Sequence, residues 1–353
     1  GLARSPGVWR VRSAKDFKGG KLQDVLVSSR GELALAPRAD TLLSSPDRFF
    51  WAQTTDRQGN VYAGGWLDGT ITKIETSGKH APFFQAQGEI VISALTSDAD
   101  GTLYAAAEPS GSIYRVDPAG KGTVLCRLEG QRVWALKKVG DSLYAGTGSE
   151  GRLYRISPDG KAEVAFTAPD RHLFALADDG KGGLYCGSYP RGKVFHLSGG
   201  KVTPVYELPS TTVTALACDH QGNLYIGTSP KASVVKLTPS GDATTLFQST
   251  EKHVFSLLAD DRGNVYAGVG GQAKVYRIAP DRTVSTLWEP EAAYVLSLSR
   301  DGSGNVYATT AGPTQIVRLG AKPAGTGTFL SPILNAGNMA RFGAVRWGGA
   351  AQG

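Results

Sequence analysis

From Phe49 onward, apolar and polar residues alternate in short runs, and the runs return in the same order about every 41 residues. A tyrosine behind a hydrophobic residue marks each return. It falls at Tyr62, Tyr104, Tyr144, Tyr185, Tyr225, Tyr266 and Tyr307, at intervals of 42, 40, 41, 40, 41 and 41 residues. A fixed period in the forties belongs to stacked or radially arrayed units. The first run of each unit has the form V-x-[AS]-L, starting at Phe50, Ile92, Val133, Leu173, Val213, Val254 or Val295. The second holds the tyrosine (NVYAG, GLYCG, NLYIG), and the third follows a loop (GRLYRI, AKVYRI). The fourth is more variable (TVLCRL, TPVYEL). Period-2 alternation predicts strands, and four strands per unit leave no room for a helix of useful length.

The turns agree. Six units carry an Asp six residues before the tyrosine (Asp56, Asp98, Asp179, Asp219, Asp260, Asp301) and a Gly three before it (Gly59, Gly101, Gly182, Gly222, Gly263, Gly304). Asp bonds its own backbone across a turn and Gly supplies positive φ, so the pair specifies a hairpin between strands one and two. The third unit is shorter and uses Gly140 with Asp141. Asp98-Ala-Asp100-Gly101 and Asp178-Asp179-Gly180 also admit a calcium reading, but recurrence across the units favours the turn.

Four-stranded antiparallel units repeated seven times predict an all-β chain folded as a seven-bladed β-propeller, in which radial closure leaves only short, protected strand edges. The seventh unit has no clear fourth strand after Gln315–Leu319, and Asp40–Ser45 is the candidate to supply it and close the ring from the N-terminal side. Three regions follow. Residues 1–38 are an N-terminal extension whose segments Asp24–Ser28 and Glu32–Ala36 predict a β-hairpin. Residues 39–320 are the propeller. Residues 321–353 are a linker (AKPAGTG) and a C-terminal β segment, Thr328–Trp347, which packs on blade seven or opens a truncated second domain.

A composition of 41% hydrophobic residues with 46 glycines suits a globular body rich in tight turns. No apolar run approaches the ~20 residues of a membrane span. The net charge of +7 invites a nucleic-acid reading. A basic residue recurs, however, eleven places after every tyrosine: Lys73, Arg115, Arg155, His196, Lys236, Arg277 and Arg318. The plainer reading gives each of these a counter-charge or carbonyl near the Asp-bearing turn, and setting aside the six Lys and Arg lowers +7 to +1. Nucleic acid is not expected. Cys126, Cys186 and Cys218 form no CxxC pair and read as buried hydrophobes. The sequence starts at Gly1 without a methionine, which fits a processed chain; export to the periplasm or beyond, and a monomeric state, are the expectations.

The unit D-x-x-G-N-[LV]-Y-x-G-T…G-x-[LV]-Y-R-[IV] resembles bacterial seven-bladed propellers of the NHL, two-component-regulator and lactonase/lyase-like types, over about residues 40–320. It lacks the Trp-Asp dipeptide of WD40 blades, and the fourth-strand tryptophan of PQQ-type blades appears at most once, as Trp288. The resemblance implies a protein- or ligand-binding scaffold, or in a minority of such proteins a lactonase or lyase with a metal in the channel. Fold alone does not choose between them.

Function is therefore sought where the copies disagree. In a propeller, the loops entering strand one and those joining strands two and three surround the channel mouth. There the chain varies through Arg48, Arg132, Arg171, His172, Lys252, His253 and Tyr294, and through Trp66, Asp68, Glu108, Glu150, Tyr189 and Arg191. Aromatic bodies beside cationic tips suit an anionic or aromatic ligand, or an acidic loop of a partner. The ligand-binding set selected on this basis is Arg132, Arg171, His172, His253, Tyr294, Trp66 and Trp134. Trp51, Trp134, Phe174 and Phe255 also read, more simply, as filler between blades. Of five histidines only His172 and His253 reach the mouth, first-strand carboxylates are scarce, and no Ser–His–Asp, phosphate-loop or metal spacing stands out. The expected function is non-enzymatic recognition of a protein or small ligand, with no catalytic residue and no cofactor assigned. The alternative is a lactonase or lyase-like enzyme using a divalent cation such as calcium in the channel.

Overall fold

The computed structural model describes residue 17 and residues 21–208 and 211–330. The ring contains seven four-stranded antiparallel blades and, among the described residues, no α-helix. Blade one runs through Phe49–Thr55, Val61–Trp66, Thr70–Ile74 and His80–Gln85. Blade three, through Val133–Val139, Ser142–Thr147, Arg152–Ile156 and Ala162–Thr167, repeats the plan. The first strand of each blade lies against the first strand of the next, and that of blade seven lies against that of blade one. The first strands therefore form the inner wall and the ring is closed.

Closure uses the predicted strand. Blade seven takes Tyr294–Arg300, Val306–Ala311 and Thr314–Pro323 from the end of the ring, and Pro37–Ser45 from before blade one completes it. Arg318 stands opposite Asp40 in that register. The seam to blade one is polar: buried Gln53 donates to the carbonyl of Tyr307 at 2.9 Å and accepts from Thr309 Oγ1.

The repeated turns hold as read from the sequence. In blade five, Asp219 Oδ1 accepts from the backbone of Gln221 and Asn223, and Oδ2 accepts from Asn223 Nδ2 and from the Tyr225 hydroxyl at 2.9 Å. Gly222 sits at φ +84 because the turn requires a left-handed residue there. The Asp98–Asp100 and Asp178–Asp179 carboxylates likewise accept turn amides.

A second glycine has another cause. Two residues after the tyrosine, Gly64, Gly146, Gly187, Gly227 and Gly268 face the leading apolar residue of the next blade. A Cβ at Gly187 would lie 2.3 Å from Val213 Cγ1, and one at Gly227 would lie 2.7 Å from Val254 Cγ1. The wedge between blades is thus filled by a Val, Ile or Leu inserted over bare backbone.

The N-terminal hairpin is present as Val25–Val27 paired with Leu33–Leu35. It docks on the fourth strand of blade six through a bridge from Ser28 to Ser285. Lys21–Gln23 pairs with Thr328–Leu330, so the segments flanking the ring meet each other, and Phe17 packs edge-on to Phe329. The remainder of the expected C-terminal segment, from residue 331, lies outside the described residues.

Candidate functional site at the channel mouth

Loops that enter strand one of a blade meet the loops joining strands two and three, on one face of the ring. Glu108, at the end of a second strand in blade two, receives Arg132 from the entrance of blade three at 3.1 Å. Burial holds the Glu108 carboxyl above the usual carboxylate range, and the Arg132 guanidinium opposes that shift. Arg132 in turn lies 5.3 Å from the centre of the Trp134 ring, a cation–π distance.

Trp134 belongs to an aromatic group on blades three and four. Its ring meets Phe174 edge-on at 5.1 Å and His172 at 6.2 Å. His172 stacks on Phe174 at 5.5 Å with 14° between planes, and Tyr189 closes the group at 5.5 Å from His172. Gly148 makes room for it: a Cβ there would come within 2.5 Å of Trp134 Nε1 and 3.0 Å of His172 Nδ1. A second group lies on blades five to seven. Ser229 Oγ and His253 Nδ1 are 2.6 Å apart, His253 leans on Phe255 at 5.2 Å, and Phe255 meets Tyr294 edge-on at 5.8 Å. On blade one, Phe49 and Trp51 are 5.9 Å apart, and Phe49 pairs with Trp66 across the strands.

The structure thus joins Arg132, Trp134 and His172 in one group, and His253 and Tyr294 in another through Phe255. Trp66 stands apart on blade one, and Arg171 is an exposed neighbour whose charge acts on His172. Both mouth histidines titrate below the ordinary value of 6.5. Burial is the larger cause for each, aided by Arg171 beside His172 and Lys252 beside His253.

Among the described residues, the large aromatic side chains that are left exposed also lie at the mouth. Trp66 is 63% exposed, Trp51 43%, and Tyr189 and Tyr294 40% each, with Leu67 and Ile90 beside them. The mouth's inner carboxylates have partners, although Asp170 Oδ1 is buried without a hydrogen bond, 3.4 Å from Arg191 Nε. Glu89 accepts from the Ser110 hydroxyl and backbone, Asp170 accepts from Ser188 Oγ at 2.5 Å, and Glu251 accepts from Lys274 Nζ at 2.7 Å. Each stands three residues before the first apolar residue of its blade, as does Asp47. Sequence reasoning passed over this acid, although aligning the copies exposes it. Ser229 carried no such signal, because its partner comes from the neighbouring blade. Among the described residues, no group of three His, Cys, Asp or Glu side chains gathers as metal ligands.

The comparisons agree with this architecture. Residues 207–229 match the family model described as "Two component regulator propeller". A streptogramin B lyase structure superposes with a TM-score of 0.69 at 16% identity, covering 80% of this chain and 98% of that one. Virginiamycin B lyase from Staphylococcus aureus gives 0.69 at 14% identity, covering 81% and 99%. The chain is a β-propeller. The extracellular domain of a putative hybrid two component system from B. thetaiotaomicron gives 0.65 at 16% identity, where this propeller corresponds to 43% of that chain. No curated protein matches the sequence. Among the described residues, no helix of the propeller is long and apolar enough to cross a membrane.

Proposed function

We propose that this propeller is a recognition module that binds a small ligand or a partner's loop at the channel mouth, without catalysing a reaction. The observation that carries this reading is the location of open aromatic surface. Trp51, Trp66, Tyr189 and Tyr294 all lie on that face, with Arg132 and Arg171 at its edge. Aromatic faces beside guanidinium groups favour a planar or anionic group, since stacking and charge act on the same partner. The Glu89 and Glu251 carboxylates are tied to hydroxyls and Lys274, and Asp170 to Ser188 through one oxygen, which supports a binding role over acid–base work. Export is part of the proposal and rests on the likeness to extracellular domains of putative hybrid two component systems.

The test is tryptophan fluorescence titrated with aromatic carboxylates and with acidic peptides. Saturable binding lost in Trp134→Ala and Arg132→Ala supports the reading; binding indifferent to both overturns it. A second reading, a channel lyase, rests on the likeness to virginiamycin B lyase, a catalytically inactive form of which was solved with quinupristin. Consumption of quinupristin that stops on adding a chelator would replace recognition by catalysis.

A further inference from the structure

On the opposite face, a cleft of about 310 Å³ opens between blades six and seven, within the size range of small-molecule sites. Its floor is the pair of turns that carry Asp260 and Ser303, and its roof is the N-terminal hairpin, through Leu26, Ala34 and Leu35. The hairpin is held by Ser29, which donates its amide to the Val284 carbonyl at 2.7 Å, and by Arg30 on Asp281 at 2.8 Å.

Four cations line this cleft, Arg262, Arg277, Arg300 and Lys322, against one carboxylate, Asp260. Asp260 offsets one of these charges but forms no ion pair with any of the four. Its oxygens are taken by the backbone of Arg262 and Asn264, by Asn264 Nδ2 and by the Tyr266 hydroxyl. Arg300 reaches Asp261 at 3.3 Å, but that carboxylate is 89% exposed and the pair is weak.

Arg277 is the informative residue. It occupies the basic position that recurs in every blade, and in blade seven the equivalent Arg318 finds Asp40 across the strand pair at 2.7 Å. In blade six the residue across from Arg277 is Ser285, which is buried and bridged to Ser28 of the hairpin. Arg277 Nε is buried without a hydrogen-bond partner among the described residues. The half-buried Arg277 guanidinium lines the cleft without a counter-ion among the described residues, and an anion in the cleft would supply one. The other wall is apolar, from Leu26, Leu35, Leu287, Val306 and Leu319.

We propose that this cleft binds a small amphipathic organic anion. Its carboxylate, sulfonate or phosphate group would sit on Arg277 and Arg300, and its aryl or acyl body against Leu26, Leu35 and Leu287. The hairpin makes the site particular to this blade pair, because no other wedge has that roof among the described residues. The site is separate from the mouth.

The probe is 8-anilinonaphthalene-1-sulfonate, which pairs one sulfonate with an aromatic body. Saturable fluorescence is expected, competed by benzoate and not by benzyl alcohol. Arg277→Met is expected to weaken it about tenfold, the loss of one charge-assisted hydrogen bond. Leu35→Asp, at an exposed position of the hairpin, is expected to weaken it as well and covers the case in which Arg277→Met fails to fold. Because the mouth would also take an aromatic anion, the titrations are made on Trp134→Ala protein, in which the saturable cleft signal is expected to remain. No saturable binding in that background, equal competition by benzyl alcohol, or equal affinity when folded Arg277→Met or Leu35→Asp is added would each overturn the proposal.

Discussion

Arg318 Nη2 donates to Asp40 Oδ2 at 2.7 Å, across 278 positions of sequence, and so joins the third strand of blade seven to the strand that precedes blade one. The Arg318 hydrogen bond holds the Asp40 carboxyl below the usual carboxylate range. Both groups are about three-quarters buried, so the pair counts for more than a surface bridge. Asp40→Ala is expected to destabilise the ring by about 1–2 kcal/mol in urea denaturation, with blade seven losing amide protection first in hydrogen exchange. Uniform protection across the blades would show that the clasp is dispensable.

The fully buried Tyr307 donates its hydroxyl to Asp301 Oδ2 at 3.0 Å. Tyr307→Phe removes a hydrogen bond to a carboxylate and is expected to cost about 1.5–3 kcal/mol. Tyr144→Phe serves as the control, since unit three has no Asp six residues before its tyrosine. Equal losses at the two positions would contradict the role given to the aspartate.

Gly227→Ala places a methyl 2.7 Å from Val254 Cγ1. Overpacking of this kind costs about 1–3 kcal/mol. The companion change Val254→Ala opens space opposite, so the double variant is expected to melt higher than the sum of the single losses requires. Strict additivity would remove the wedge from the account.

His172 and His253 have folded pKa values below 6.5. The unfolded chain therefore takes up these protons first as pH falls. Stability is expected to decline from pH 7 towards 5.5, because the unfolded state binds more protons in that window. His172→Phe and His253→Phe are expected to flatten this slope in thermal melts, whereas a slope unchanged in the double variant would place its origin elsewhere.

If the mouth is a recognition surface without a metal, ethylenediaminetetraacetate is expected to leave ligand-induced tryptophan fluorescence unchanged. Loss of the signal that calcium restores would instead give the ion a part in binding.

Much of the fold was legible because the chain repeats it. The Asp and Gly of each turn, the tyrosine and the alternating strands depend on neighbours within about ten residues, so local chemistry writes them into each copy. Even the clasp could be read, because a missing fourth strand in unit seven and a spare one at Asp40–Ser45 are a mismatch visible in one dimension. The basic third-strand residues were legible only in part. His196 reaches Asp179 at 2.8 Å as the turn reading requires, and Arg318 adds the Thr76 carbonyl of the next blade. Arg277 finds no acceptor for its Nε, and nothing around it in sequence says so.

By itself, then, the sequence determined the unit, the count of seven and the order of strands, since these follow from periodicity and turn chemistry along the chain. The tertiary structure decided what lies between units. It placed Gly227 under Val254 and set Trp134, His172, Phe174 and Tyr189 against one another. It also folded the hairpin over Arg277. These contacts cross from blade to blade or from the N-terminal extension to the ring. Their geometry is set by closing the circle, and no local pattern in the chain encodes it.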